Sequence, residues 1–234
     1  EYAGRKLSNI SAIFFNLNEA CTDTVMQKIA LEVSPMLTEY SNDILLNEKL
    51  FERIKAVYEK RDSLKLEEDQ ARILELTYRS FARNGANLPK EKKEEFRSIK
   101  KELSQLTLKF GQNVLEATNK FFINITDSTQ LAGLPEFVKE GAAAEAKERK
   151  LEGWVITLQG PSYIPFMQYS ENRELKEKLW KAYNSKCLDG ELSNQENIKK
   201  IVDLRLKLAN LLGYPTYADY VLEENMAKTP ATVN

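Results

Sequence analysis

A chain of 234 residues can bury a sizeable core as one large domain or two small ones, and its nine Gly and seven Pro among abundant Leu, Glu, Lys and Ala favour helices. A formal net charge of −1, with basic residues interleaved among acidic ones, offers no field to gather nucleic acid or an anionic membrane, and no apolar run is long enough to span a bilayer. There is no histidine, which removes imidazole as metal ligand and general base within this chain, and the two cysteines, Cys21 and Cys187, are too few for a disulfide scaffold and read as reduced thiols.

Leu7, Ile10, Ile13, Phe14 and Leu17 recur at helical spacing, in a segment over residues 1–17 that starts without a cap or turn signal. Thr22-Asp23-Thr24 supplies N-cap oxygens for a second helix over about 24–45, with Pro35 inside it predicting a bend. Asn47 caps a third helix carrying Leu50, Phe51, Ile54, Val57 and Tyr58. A fourth runs from Leu66 to Phe81 and is closed by Asn84-Gly85. Short connections place such helices side by side and antiparallel, as in a bundle.

The next stretch is the spine of the chain. Phe96, Ile99, Leu103, Leu106, Phe110, Val114 and Ala117 alternate in gaps of three and four, predicting one helix from Pro89 to Lys120, about 48 Å long at the usual rise. The charged run from Lys90 to Glu102 reads as its water-facing surface, with intrahelical pairs such as Lys90 with Glu94. Gly111 should cost about 1 kcal/mol relative to Ala, and a close helix crossing is the ordinary reason to keep it.

After Lys120 the residues turn β-branched and aromatic, predicting a strand over Phe122 to Thr126 that pairs with a second over Trp154 to Leu158. Between them lie a turn at Leu131 to Pro135 and a helix that Pro135 opens and that ends among Lys147, Arg149 and Lys150. Gly160-Pro161-Ser162-Tyr163-Ile164-Pro165 reads as a break, unable to extend either a ladder or a helix. Three further helices follow: one over about Asn172 to Ser185, one from Ser193 to Leu212 with Ser193 and Glu196 as a capping box and Gly213 as its stop, and a short one over Tyr217 to Glu224. Thr229-Pro230 signals another helix start at the very end.

The expected fold is therefore mainly α: a multi-helix bundle with a long central helix and a small two-stranded β element. Residues 1–120 form antiparallel helices, 121–170 the β element with loops, and 171–234 further helices. Both ends read as cuts inside a larger protein.

Chemistry-bearing patterns are sparse. No His, no close Cys pair and no Asp-rich loop offers a metal site, and no glycine-rich loop cradles a phosphate. Ser162 lacks the base a nucleophilic serine needs. Glu223 and Glu224 are adjacent, so they point to different sides of a helix and read as a solvated face. A tyrosine and proline cluster stands out more, with Tyr163, Pro165, Phe166, Gln168 and Tyr169, then Tyr214, Tyr217 and Tyr220. Rigid aromatic and hydroxyl groups on loops suit peptide binding, although core packing uses the same residues.

Several stretches taken together resemble the thimet oligopeptidase-like zinc metallopeptidases. They are Phe14-Phe15-Asn16-Leu17-Asn18, Leu88-Pro89 with Lys109-Phe110-Gly111-Gln112-Asn113-Val114-Leu115-Glu116-Ala117-Thr118, Leu131-Ala132-Gly133-Leu134-Pro135, and Gly153-Trp154-Val155-Ile156-Thr157-Leu158. Pro161-Ser162-Tyr163, Leu211-Leu212-Gly213-Tyr214 and Asn225-Met226-Ala227-Lys228 continue the pattern. The Phe-Phe-Asn-Leu-Asn stretch looks most like the bacterial peptidyl-dipeptidases of the dipeptidyl carboxypeptidase type, with the oligopeptidase A type second.

The resemblance implies a helical, two-lobed enzyme with a deep channel for short peptides, in which 1–234 would be one lobe. It also implies a zinc ion held by a His-Glu-x-x-His helix and a further Glu, with the motif's Glu activating water. None of those histidines occurs here, so no catalytic, cofactor-binding or metal residue carries over, and zinc belongs to the full-length parent. The implied partners are short peptide substrates and the remaining C-terminal catalytic region of the same polypeptide, with no nucleic acid and no membrane. A stand-alone helical interaction module is the rival expectation. Compartment is not legible.

Overall fold

The computed structural model describes residues 4–234. In chain order the elements are α1 (Arg5–Ala20), α2 (Thr24–Leu45), α3 (Glu48–Glu59), α4 (Glu68–Arg83), α5 (Lys90–Lys120), β1 (Phe122–Ile125), α6 (Glu136–Glu148), β2 (Trp154–Thr157), α7 (Gly160–Tyr169), α8 (Arg173–Asn184), α9 (Gln195–Leu211), α10 (Tyr217–Leu222) and α11 (Pro230–Val233). The fold is mainly α, with one long helix and one two-stranded antiparallel sheet. Two compact units divide the chain: residues 4–108 with 199–234, and residues 109–198.

In the first unit the helix starts follow local capping. Asp23 Oδ1 accepts from the N–H groups of Val25 and Met26 at 2.8 and 2.7 Å, and Asn47 Oδ1 accepts from Leu50 N–H at 3.0 Å. Helix α2 runs through Pro35 without interruption. Phe96 and Ile99 of α5, Leu46 and Leu208 make one buried cluster; Phe51, Phe81 and Ala86 make another. The charged run that opens α5 is not simply a solvated surface. Lys93 is buried and reaches Glu48 at 3.0 Å, and Arg97 reaches Asp43 at 2.7 Å. These cations serve neighbouring helices because their i+4 neighbours on α5 are cations too, Arg97 for Lys93 and Lys101 for Arg97, whereas α2 and α3 present carboxylates.

In the second unit, β1 and β2 pair in the register Phe122↔Thr157 to Ile125↔Trp154. Ile123, Ile125 and Ile156 join Leu158, Phe166 and Leu179 in the core beneath the sheet. Gly153 is fixed by its surroundings: its φ is +85°, and a Cβ there would collide with the Ile125 carbonyl.

Three local expectations need correction. The Gly160 to Pro165 stretch is helical, not a break, because Pro161 falls in the first turn of α7, where its missing N–H has no partner to lose. Pro165 lies farther in, and burial of the next residue, Phe166, holds that turn in place. Helix α9 begins at Gln195, two residues beyond the predicted cap; Ser193 Oγ donates to the Leu188 carbonyl at 2.9 Å and accepts from Gln195 N–H at 3.4 Å, and Asn194 precedes the helix. Gly111 makes no close crossing, since a Cβ built on it meets nothing within 4 Å.

Candidate functional site

The densest polar assembly lies in the first unit, where the end of α4 meets the segment from Leu212 to Glu224. Arg79 and Arg83 of α4 share a face because they stand four residues apart, and Tyr78 flanks them. Gly213, at φ +91°, ends the turn after α9 and delivers Tyr214. Thr216 then caps α10, its hydroxyl accepting from Asp219 N–H at 3.2 Å, which presents Tyr220 and the following Glu223 and Glu224.

Arg83 is only 9% exposed, and its guanidinium is fully engaged. One Nη1 donates to Glu223 Oε2 and, at 3.2 Å, to Tyr214 OH; Nη2 donates to the Tyr220 carbonyl at 2.5 Å. Nε lies 3.4 Å from Glu224 Oε2, and the guanidinium sits 4.3 Å from the Tyr220 ring centre, a cation–π stack. Arg79 Nε lies 3.1 Å from Glu224 Oε1, at an angle that makes an ion pair without a hydrogen bond.

Tyr214 OH donates to Glu223 Oε2 at 2.5 Å. Burial, reinforced by that carboxylate and opposed by Arg83, pushes the phenol up to about 12. Burial likewise raises Tyr220, again against the Arg83 charge. Tyr58 and Tyr78 stack at 4.0 Å. Tyr58, Tyr78, Tyr214 and Glu223 line a cleft of about 360 Å³ with Asn87, Leu88 and Leu212. Such a cleft offers flat aromatic walls, an amide and an anchored hydroxyl, which are groups for holding an extended polar chain. The charges that line it are already matched in ion pairs.

The tyrosines singled out from sequence are thus divided. Tyr214 and Tyr220 line or support this cleft. In the second unit Tyr163 stacks on Tyr183 at 4.1 Å, Phe166 is fully buried in the core, and Ser162 Oγ accepts from Thr157 N–H at 3.0 Å, a turn contact. Glu223 and Glu224 are ion-paired, which corrects their reading as a merely solvated face. Arg83 gave no signal in the sequence, where a basic residue in a last helical turn is commonplace.

The zinc that the resemblance implies does not fit these residues. Among the described residues no group of three or more His, Cys, Asp or Glu converges as a ligand set. Cys21 is exposed, and burial pushes the Cys187 thiol up, away from the thiolate a metal needs.

Comparison with known proteins agrees with the quoted motifs. Residues 166–234 match the model of Peptidase family M3. Over 98% of its length the chain is 32% identical to Oligopeptidase A of Escherichia coli (strain K12), covering 34% of that protein. It is likewise 32% identical to Dipeptidyl carboxypeptidase of Escherichia coli (strain K12), again over 98% of this chain and 34% of that protein. Over 89% of its length it is 36% identical to Organellar oligopeptidase A, chloroplastic/mitochondrial, of Arabidopsis thaliana, covering 27% of that protein. The resemblance to thimet oligopeptidase-like metallopeptidases is borne out, and the chain spans about a third of the length of the curated relatives it matches.

Proposed function

We propose that this chain is a non-catalytic, N-terminal-side segment of a zinc-dependent peptidyl-dipeptidase or oligopeptidase acting on short peptides, and that its helices form part of the substrate-channel wall. The observation that carries the reading is the extent of the match: one alignment takes in 98% of this chain but 34% of Oligopeptidase A. With no histidine available here, zinc and the water-activating Glu would come from the C-terminal region of the same polypeptide. The 234 residues would then belong to one of two lobes. The aromatic cleft around Tyr58, Tyr78 and Tyr214 is consistent with a wall that meets peptide backbone.

The test is release of C-terminal dipeptides from short peptides by the product of the complete reading frame. Release that a chelator abolishes and zinc restores is expected; absent or chelator-insensitive release overturns the proposal. A stand-alone interaction module is the second reading, favoured by α1, where Ile10, Ile13 and Leu17 are half exposed or more. A reading frame without His-Glu-x-x-His would decide for it.

A further inference from the structure

Tyr58, Tyr78, Phe51 and Phe81 of α3 and α4 form one run of stacked rings in the first unit. Tyr58 lies on Tyr78 at 4.0 Å, Tyr78 faces Phe51 at 5.7 Å, and Phe51 faces Phe81 at 6.2 Å. The Arg61 guanidinium covers the other face of Tyr58, 4.4 Å from its ring centre. The faces of both tyrosines are thus spent inside the protein, and what they bring to the cleft of about 360 Å³ is their edges and hydroxyls. Neither hydroxyl has a hydrogen-bond partner among the described residues. Nor has the carboxamide of Asn87, an exposed residue of the α4–α5 connection that lines the same cleft.

The charged groups around them are not free in this way. Glu75 is held by Arg72 at 2.6 Å and by Arg79 at 3.5 Å, and Glu223 by Arg83. An entering cation would meet Arg79, and an anion would meet Glu75 and Glu223, each across an ion pair already closed. A phenol hydroxyl and a carboxamide, by contrast, each donate and accept. The complementary ligand is a neutral chain that alternates donors and acceptors. A saccharide is one such chain, but it gains most from open aromatic faces, and those of Tyr58 and Tyr78 are covered. A peptide main chain needs no open face. A carboxamide matches a peptide group donor for acceptor, and Leu88 and Leu212 give apolar contact for the side chains beside it.

We propose that this cleft is a subsite for the main chain of an extended, uncharged stretch of peptide, one peptide group pairing with the Asn87 carboxamide and its neighbours with the Tyr58 and Tyr78 hydroxyls. Naming that peptide a substrate rests on the peptidase reading, whereas the binding is a property of this chain. The stack holds both tyrosines in place beforehand, so little side-chain freedom is lost on binding.

The test is a titration of the nitrogen-15-labelled 234-residue chain with acetyl-Ala-Ser-Ala-Ser-Ala-amide, followed by amide NMR shifts. Saturable shifts that include the Asn87 side-chain NH₂ are expected. Asn87→Ala, and Tyr58→Phe combined with Tyr78→Phe, should each weaken binding about fivefold or more, the worth of a lost hydrogen bond. Both should fold, because Asn87 is exposed and Phe keeps the stack, and Asn87→Gln should recover part of the affinity by keeping the carboxamide. No saturable shift in the wild type, or wild-type affinity in either variant, overturns the site. Tighter binding of maltotetraose, or of the same peptide with Lys or Glu for its central Ala, overturns the assignment to a neutral main chain. Peptide binding here without chelator-sensitive release by the complete reading frame would sink the peptidase reading alone; release without binding would sink the subsite alone.

Discussion

Asn113 Nδ2 donates to Asn194 Oδ1 at 2.9 Å, joining α5 to the residue that opens α9 inside the second unit. Asn194 is 2% exposed and is met from other sides as well, donating to the Phe110 carbonyl at 3.2 Å and accepting from Asn197 at 3.0 Å. A buried amide so placed specifies one arrangement of two helices, because any shift leaves a polar group dry and unpaired.

Asn113→Leu should therefore lower stability by about 1 kcal/mol, the worth of one buried hydrogen bond, since Asn194 Oδ1 keeps Asn197 as a donor. Urea denaturation of Asn113→Leu, Asn194→Ala and the double variant should show the double loss falling short of the sum. Strict additivity would mean the two amides are not coupled.

Arg83→Lys should cost about 1–2 kcal/mol, because an ammonium cannot reproduce the fork that reaches Glu223, Glu224 and the Tyr220 carbonyl together. Glu223→Gln should cost less, since the Glu223 side chain is 47% exposed and water replaces part of what it loses. Thermal denaturation that ranks the two variants the other way would contradict this account of the cluster.

The cluster also predicts an alkaline limit. Tyr214 has its folded-state pKa raised from the ordinary 10.0 to about 12, so folding favours the neutral phenol. Its stabilising contribution is complete below pH 10 and is lost as pH rises towards about 12. Phenolate absorbance should show a late-titrating tyrosine that disappears in Tyr214→Phe, and the variant should lose less stability than wild type over the same alkaline window.

Gly111→Ala should raise stability by about 1 kcal/mol, since the new methyl meets open space on the long helix while the unfolded chain loses freedom. Gly153→Ala should lower it by more than about 1 kcal/mol, because both φ and the Ile125 carbonyl oppose a side chain. Chemical denaturation of the pair separates a helix glycine without a packing role from one the sheet requires.

Most of the fold was legible because its signals are local. Period and caps placed α2 between Thr24 and Leu45 and α5 up to Lys120, and residue type placed the strands. The failures were local too, wherever two local rules competed. Proline chemistry read as a break at Gly160 to Pro165 was overridden by core burial of Phe166 and by the tolerance of a first turn for Pro161. The start expected at Ser193 moved on by about a residue: its hydroxyl donates to the Leu188 carbonyl and accepts from Gln195 N–H at 3.4 Å, where α9 begins.

The sequence by itself determined the helical class, the position of the long helix, the strand pair, the lack of imidazole within this chain and the resemblance to the M3 peptidases. Tertiary structure alone decided which of many interchangeable polar residues matter. Arg83 and Glu223 stand 140 positions apart, and nothing in the local pattern distinguishes them from other Arg and Glu residues on helix surfaces. Periodicity along a chain encodes which face is apolar, whereas partner choice among charges depends on distances that exist only once the helices are packed.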